Sequence, residues 1–135
     1  MRISIVKPWY NAARFLSETI TSVRNQTHTD WEWIIVDDCS TDLSLQILNT
    51  YSSQDDRIKV IANNMNEGAA VTRNKAINNV SGDFLAFIDA DDIWLPTKLS
   101  NQITYMLDRH LAFSFTSYNI VDEQGQFAGQ TVDVT

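Results

Sequence analysis

The sequence has few of the residues that mark several classes of protein. Its single cysteine, Cys39, allows no internal disulfide and excludes a cysteine-based metal site, so a reducing compartment is the simpler expectation. Its four glycines, Gly68, Gly82, Gly125 and Gly129, are too widely spaced to form a Gly-x-Gly-x-x-Gly loop, which argues against dinucleotide binding. Two prolines and 44% apolar residues likewise exclude a disordered or low-complexity chain.

Long apolar runs are also missing. No run approaches the roughly 18 residues of a membrane-spanning helix. Met1 and Arg2 lead directly into a short β-type run and not into a signal peptide. We therefore expect a cytoplasmic protein, with peripheral contact at the inner face of the membrane left open. At 135 residues, the chain has the length of one ordinary domain.

Positive charge is scarce as well. Ten Lys and Arg residues stand against 17 Asp and Glu residues, which gives a formal net charge of −7. A nucleic-acid binder needs a positive face that displaces counterions, so nucleic acid is not an expected partner. Thirteen of the 17 acids are Asp, a residue that suits caps, turns and ion sites better than helix interiors. The acids are therefore expected mainly in loops.

Short apolar runs alternate with helical periodicities along most of the chain. Runs rich in β-branched and aromatic residues predict strands over residues 2–7, 31–36, 57–62 and 84–88. Between the strands, apolar residues at three- and four-residue spacing predict helices. The first helix is predicted to start with Asn11 as N-cap, and the second with capping oxygens from residues 40–42. The third is predicted to start with Asn66 as N-cap and to reach Val80, and the fourth to have Pro96 in its first turn.

The pattern predicts an α/β fold, with a mainly parallel sheet flanked by helices in a single domain over residues 1–135. The continuous apolar runs at residues 34–36 and 84–88 are typical of strands covered on both faces. After the last helix we expect a strand over 111–121, a hairpin turn at 122–125 and a second strand from about Gln126. In such sheets, ligands bind beyond the carboxyl ends of the parallel strands.

Five aspartates stand at two of these strand ends. Asp37 and Asp38 follow the second strand, and the run Asp89-Ala90-Asp91-Asp92 follows the fourth. If all five carboxylates converge on one rim, their repulsion is relieved by a hard cation such as Mg²⁺ or Mn²⁺. The first pair is also explained by a turn and a helix cap. The second run has more acids than one cap needs, which favours an ion site.

Several other side chains allow both a functional and a structural interpretation. Arg73, on or beside an inward helix stripe, could reach the acidic rim or a ligand phosphate, or keep its charge in water. Trp9 and Tyr10 could stack on a flat ring or close the core. Lys7 is also explained as an ordinary charge at a strand end.

Taken together, these residues resemble the nucleotide-binding half of the family 2 inverting glycosyltransferases of the GT-A fold. The resemblance covers nearly the whole chain, and it is carried by an ordered set of motifs. The motifs are Pro8-Trp9-Tyr10-Asn11, the segment 22–27, the segment 34–42, Asn66-Glu67-Gly68, Arg73-Asn74, the segment 82–92, Pro96 and Lys98.

The resemblance implies a nucleoside-diphosphate sugar as ligand, most simply a UDP-sugar, with Mn²⁺ or Mg²⁺. Tyr10 would pack on the base in a loop shaped by Pro8, and Asp38 would accept from the ring edge. Arg73 would lie near the base or the diphosphate, Asp91 near the ribose and Asp92 on the metal, with Asp89 ordering the loop. The implied nucleotide-binding residues are Pro8, Tyr10, Asn11, Asp38, Gly68, Arg73, Asp89 and Asp91, and the implied metal ligands are Asp91 and Asp92.

The family's catalytic base lies in a later segment, so no catalytic residue is identified here and the base is expected beyond Thr135. Asp122 and Glu123 are acids expected in any hairpin turn. We therefore expect the donor-binding part of a larger enzyme, truncated on its C-terminal side and doubtful as a transferase by itself. Its acceptor would be a glycan or a lipid-linked sugar. An apolar sheet edge left uncovered could favour a homodimer.

Three other functions remain open at this point. A phosphatase of the haloacid dehalogenase type also places Asp-x-Asp after a strand, although that motif usually opens its domain and here only 43 residues follow Asp92. A receiver-like signalling domain would need an Asp after the third strand, where Asn63 and Asn64 stand. The third is a folded fragment that binds nucleotide without turnover.

Overall fold

A computed structural model describes residues 1–114, 116, 118–121 and 127–132, the last two segments by their backbone alone. The chain divides into two compact units, residues 1–96 and 97–135. The single domain predicted over residues 1–135 stays a prediction. Among the residues so described, no helix is long and apolar enough to cross a membrane.

The first unit is built on a four-stranded sheet in which every neighbouring pair is parallel. Its strands are β1 (Ile3–Trp9), β2 (Trp31–Asp37), β3 (Ile58–Ala62) and β4 (Phe84–Phe87). They lie in the order β3-β2-β1-β4, so the chain begins at an inner strand and adds neighbours on both sides. The predicted α/β class and the parallel sheet are confirmed.

Three helices connect these strands: α1 (Ala13–Arg24), α2 (Ser44–Gln54) and α3 (Ala69–Ile77). Val6 packs with Ala76 of α3 in one hydrophobic cluster. The buried Trp9 donates from its indole nitrogen to the Ser44 hydroxyl of α2 over 3.2 Å. Because residues 6 and 9 of a strand point to opposite faces, α2 and α3 cover opposite sides of the sheet. The ligand-binding edge therefore lies between two helical layers.

Two predicted helix caps are wrong. Asn11 does not cap α1: it has a φ of 48°, and the first helical N–H, that of Ala13, donates to the Asp42 carboxylate instead. Asn66 does not cap α3, which starts only at Ala69 after Gly68. In both cases a carboxylate distant in the chain receives N–H groups that a local side chain was expected to receive. Capping rules consider only residues near the helix start, so they do not predict partners that are distant in the sequence.

Pro8, expected to end the first strand, lies inside β1 and pairs with Val36. The backbone of Trp9 accepts from Asp38 on the β2 side, whereas the backbone of Arg2 accepts from Asp83 on the β4 side. Alternation along the strand turns the missing N–H of Pro8 toward β4, whose pairing with β1 ends at Phe87. No ladder hydrogen bond is lost there, which is why the proline is tolerated.

The expectation that both apolar strands are covered on both faces holds for β2 and fails for β4. All seven residues of β2 are buried. In β4, Leu85 and Phe87 are 45% and 57% exposed. The difference follows from position, since β2 is an inner strand and β4 forms the edge of the four-stranded sheet.

The second unit contains α4 (Lys98–Arg109) and an antiparallel pair, β5 (Tyr118–Val121) and β6 (Phe127–Val132). The predicted strand over residues 111–121 is therefore shorter than expected. The predicted helix is present but begins at Lys98, so Pro96 precedes it and does not lie in its first turn as expected. The strand from about Gln126 is present. The predicted turn at residues 122–125 lies outside the described residues.

A buried carboxylate closes the amino end of the sheet. Glu32 of β2 accepts from the Ser4 hydroxyl over 2.7 Å, from the Ser81 backbone over 2.5 Å and from Lys59 over 2.9 Å. Gly82 donates from its backbone to the same Ser4 oxygen, at a position where a Cβ would lie 2.5 Å from that oxygen. Burial alone would raise the pKa of Glu32, but these hydrogen bonds prevail and lower it from 4.5 to about 2.

This network predicts an acid-sensitive stability that depends on Glu32. A carboxyl whose folded pKa is depressed stabilises the fold fully above its unfolded value of 4.5 and loses that contribution as pH falls toward 2. We expect Glu32→Gln to cost about 2 kcal/mol at pH 7, after allowing for the half-exposed Lys59, and much less at pH 2.5. Urea unfolding followed by tryptophan fluorescence at pH 7, 5, 3.5 and 2.5 measures this difference.

The matched control is Glu18→Gln, which changes an exposed side chain of α1. It is expected to leave the free energy of unfolding nearly unchanged at every pH. A cost of Glu32→Gln that stays constant from pH 7 to pH 2.5 would contradict the role assigned to the ionised carboxylate.

Candidate functional site

A cavity of about 380 Å³ lies at the carboxyl end of the parallel sheet, within the first unit. A volume of this order suits a small-molecule ligand. Segments distant in the sequence meet in its walls: the end of β1, the residue after β2, the start of α3 and the loop after β4. The lining residues are Lys7, Pro8, Trp9, Tyr10, Asp38, Asn66, Gly68, Ala69, Arg73 and Ala90.

One wall depends on the buried carboxylate of Asp38. It accepts from the backbone N–H groups of Glu67 and Gly68 over 2.7 and 3.0 Å, and from the Asn63 amide over 3.0 Å. Burial raises the pKa of Asp38, but these hydrogen bonds outweigh it and hold the pKa below its ordinary value. The side chain therefore stays ionised and ties the end of β2 to the loop before α3.

Gly68 takes a backbone conformation that this connection requires. Its φ of 90° and ψ of 161° lie in a region open essentially to glycine alone. A Cβ at this position would meet no atom within 4 Å, so the requirement is conformational and not one of space. Gly68 thus turns the chain from the Asp38 carboxylate into the first turn of α3.

Asp37 and Asn11 organise a second loop beside the cavity without lining it. Asp37 accepts from the Ser40 backbone over 3.0 Å and from the Ser40 hydroxyl over 2.6 Å, which is the turn that was one of two interpretations for the Asp37-Asp38 pair. The side-chain oxygen of Asn11 accepts from the Thr41 backbone over 2.8 Å. Cys39, between Asp38 and Ser40 in this loop, has a φ of 60°. These bonds hold together the chain after β1 and the chain after β2.

The acidic loop after β4 is fixed to α1. The Thr19 hydroxyl lies 2.9 and 3.0 Å from the carbonyl oxygens of Ala90 and Asp92. The Asp92 carboxylate accepts the Asp89 N–H over 3.0 Å, which closes a tight turn. Ala90 lines the cavity at the middle of this turn. Helix α1 therefore determines how the loop meets the cavity.

The five aspartates at the strand ends do not form one cluster. Burial raises the pKa of Asp92, and repulsion from the carboxylates of Asp89 and Asp91 raises it further. Asp37 and Asp38 have their own N–H donors and take no part in this repulsion. The predicted convergence of all five is therefore wrong: Asp89, Asp91 and Asp92 interact within one loop, and the charges of Asp37 and Asp38 are compensated by their own hydrogen-bond donors.

Two cations line the same cavity. Lys7 is half-buried at the end of β1, and Arg73 is exposed on α3. Neither makes a hydrogen bond, nor an ion pair within 4 Å, to any residue in the described part of the chain. Burial lowers the pKa of Lys7, with Asp89 opposing this change and Arg73 adding to it. The cavity therefore combines two unpaired cations with a neighbouring group of acids.

Five of the eight predicted nucleotide-binding residues line the cavity: Pro8, Tyr10, Asp38, Gly68 and Arg73. Asn11 lies in the adjoining loop, and Asp89 and Asp91 flank the lining residue Ala90. The other lining residues were not predicted as site residues, although Trp9 was considered for stacking: Lys7, Trp9, Asn66, Ala69 and Ala90. For Lys7 a signal was present, because strand alternation and its place next to Pro8 bring it to the carboxyl edge.

The family model described as "Glycosyl transferase family 2" matches residues 4–132, nearly the whole chain. The chain belongs to this family. The resemblance inferred from the ordered motifs is confirmed, and the phosphatase and receiver alternatives are set aside. The fold class follows as well, since the parallel sheet with flanking helices is that of the GT-A glycosyltransferases.

Curated relatives extend the comparison. The chain is 46% identical over 123 residues to TuaG of Bacillus subtilis (strain 168), named as a teichuronic acid biosynthesis glycosyltransferase, covering 91% of this chain and 49% of TuaG. It is 41% identical over 120 residues to WfgD of Escherichia coli, a UDP-Glc:alpha-D-GlcNAc-diphosphoundecaprenol beta-1,3-glucosyltransferase, covering 89% and 47%. The chain thus spans about half the length of these relatives.

Among solved structures, S. aureus TarS 1-349 in complex with UDP-GlcNAc superposes with a TM-score of 0.75 at 32% identity. The match covers 82% of this chain and 32% of TarS 1-349. The UDP-GlcNAc in that structure is bound to TarS.

The aspartates of the loop after β4 fit a divalent cation that is coordinated partly by the protein and partly by a bound ligand. Among the described residues no group of three His, Cys, Asp or Glu side chains is arranged to hold a metal by itself. Mg²⁺ and Mn²⁺ commonly take one or two carboxylates, completing their coordination with water and substrate phosphate. The exposed Asp91 and the half-buried Asp92, whose negative charges repel each other, form a donor set of this kind.

The wall formed by Asp38 can be tested by Asp38→Asn. The amide keeps one acceptor for Glu67 but turns an NH₂ group toward one of the backbone N–H groups now bound, so we expect a loss of about 1–3 kcal/mol in unfolding free energy. Hydrogen exchange followed by mass spectrometry should show faster exchange at residues 67 and 68.

Asp56→Asn is the control, because it makes the same chemical change at an exposed position outside the cavity. It is expected to alter neither unfolding nor exchange. If Asp38→Asn leaves exchange at residues 67 and 68 unchanged, the carboxylate does not hold this wall.

Proposed function

We propose that the chain forms the donor-binding part of a glycosyltransferase that transfers a sugar from a UDP-sugar to an acceptor hydroxyl. The observation that carries this proposal is the cavity at the carboxyl edge of the sheet, where Tyr10, Asp38 and Arg73 meet beside an acidic loop. It offers an aromatic ring, a carboxylate acceptor and a cation for the base and phosphates of one nucleotide.

The side chains divide this work by their chemistry. Tyr10 is half-exposed, so its ring is free to stack on a base. Asp38 already accepts hydrogen bonds from Glu67, Gly68 and Asn63, and its remaining lone-pair capacity can accept an N–H from the ring edge. Arg73 can donate to the ring edge or to the diphosphate. Asp89 would keep the acidic loop in its turn, with Asp91 close to the ribose.

Asp91 and Asp92 would hold Mn²⁺ or Mg²⁺. When bound, such an ion stabilises the negative charge that develops on the leaving nucleoside diphosphate. Two contacts would position the donor around the ion. Thr19 holds the acidic loop, and the hydrogen bonds of Asp38 to the loop before α3 hold the opposite wall.

The names of related proteins support the identity of donor and acceptor. TarS is seen with UDP-GlcNAc, and WfgD is named for a UDP-Glc donor and a diphosphoundecaprenol-linked acceptor. TuaG is named for teichuronic acid biosynthesis. We infer a UDP-sugar donor, a lipid-linked or glycan acceptor, and a role in bacterial polysaccharide synthesis, at the cytoplasmic face of the membrane where the acceptor is lipid-linked.

Inverting transfer also needs a base that takes the proton of the acceptor hydroxyl. The carboxylates near the cavity are committed to other tasks, Asp38 to backbone N–H groups and Asp91 and Asp92 to the cation. We place the base beyond residue 135, in the part of the relatives that this chain does not span. Donor binding is therefore the step assigned to residues 1–135, and turnover by them alone is not expected.

Isothermal titration of the chain with UDP, in MnCl₂ and in EDTA, tests this proposal. We expect UDP to bind more tightly with Mn²⁺, and Asp91→Asn to reduce the Mn²⁺-dependent gain about tenfold or more. Asp91 suits the test because it is exposed and makes no hydrogen bond to a described residue, so its replacement should leave the loop intact.

Asp108→Asn, at an exposed position on α4, is the matched control and should behave as the unmodified chain. Absence of UDP binding in both buffers would overturn the proposed function. Equal Mn²⁺-dependent gains for Asp91→Asn and the unmodified chain would remove Asp91 from the metal site.

A further inference from the structure

Lys7 is a charged side chain at the centre of the candidate site that no role above includes. It lies at the carboxyl end of β1, next to Pro8, and lines the cavity together with Arg73. A lysine that lies along an apolar surface normally keeps its ammonium in water. Lys7 is only half-exposed, and burial is the largest influence on its pKa.

The nearby acids do not fully compensate this charge. Asp89, Asp91 and Asp92 are close enough to favour the charged form of Lys7, yet within the described residues no carboxylate oxygen lies within 4 Å of its ammonium. Lys59 and Lys75 differ in this respect, with carboxylates at 2.9 and 2.6 Å. A partly desolvated cation without a close partner is costly unless a ligand supplies the anion.

The second cation points to the same ligand chemistry. Arg73 disfavours the charged form of Lys7, so two positive groups repel each other at one cavity. Among the groups of a nucleotide sugar, only the phosphates carry the negative charge that would satisfy both. The uracil base is neutral, and so is any sugar that lacks a carboxylate.

We propose that the ammonium of Lys7 contacts the diphosphate of the bound nucleotide and provides a part of the binding energy that does not depend on metal. This assignment rests on the proposed nucleotide site and adds to it a cation supplied by the protein. In EDTA, Lys7 and Arg73 hold the diphosphate. With the metal present, the phosphate oxygens are shared between the ion and these two side chains.

Three ligand conditions separate this role from a structural one. UDP in EDTA, UDP in MnCl₂ and uridine in EDTA are titrated into the unmodified chain, Lys7→Met and Lys7→Gln. We expect both variants to bind UDP in EDTA about tenfold more weakly, because a charge-assisted hydrogen bond is lost. The loss with Mn²⁺ should be smaller, and uridine affinity should not change.

Arg109→Met is the control, since it removes one positive charge from an exposed side chain of α4 that does not line the cavity. Its UDP affinity should equal that of the unmodified chain once circular dichroism has shown both to be folded. Two replacements at position 7 are used so that one that fails to fold leaves the other for measurement.

Unchanged UDP affinity in the folded Lys7 variants, with UDP still binding to the unmodified chain, overturns the inference about Lys7 and leaves the proposed function standing. Equal losses for UDP and uridine also overturn it, because they indicate a distorted pocket and not a lost phosphate contact. Absence of UDP binding by the unmodified chain overturns both proposals.

Discussion

The hydrogen bonds that the buried carboxylate of Asp38 accepts are the constraint on which the candidate site depends. A carboxylate taken out of water is expensive, and here two backbone N–H groups and the Asn63 amide offset that cost. The same bonds place Gly68 and the first turn of α3 over the end of β2. One carboxylate thus holds the loop before α3 in place, stays ionised and forms a cavity wall. An Asp at this position is therefore a structural requirement as well as a possible ligand contact.

The opposite end of the sheet has a second buried carboxylate with a different consequence. Glu32, through Ser4 and the backbone of Ser81 and Gly82, fixes the chain where it enters β4. The register of β4 against β1 determines where the strand ends and where the acidic loop begins. Thr19 then holds that loop from α1. The acids at the cavity are positioned from both ends of a short strand.

The parallel sheet and the edge that carries the site could be predicted from the sequence, because both follow from apolar periodicity and from polar residues after strands. The partners of those residues could not. Asp42 and Asp38 receive N–H groups that local rules assign to Asn11 and Asn66. Such contacts exist only once the strands are paired. The sequence places Lys7 at the carboxyl edge, but its lack of a close carboxylate could not be predicted, because that too depends on how the strands pair.

The charges at the cavity are arranged in a way that limits what can bind there. Burial raises the pKa of Asp92, and repulsion from Asp89 and Asp91 raises it further, while Lys7 and Arg73 have no carboxylate within 4 Å among the described residues. An anion alone would relieve the cations and aggravate the acids, and a metal ion alone would do the reverse. A diphosphate carrying a divalent cation relieves both, because each part lies against groups of opposite charge. The arrangement therefore supports the proposed donor site, in which a metal ion and a nucleotide diphosphate would bind together.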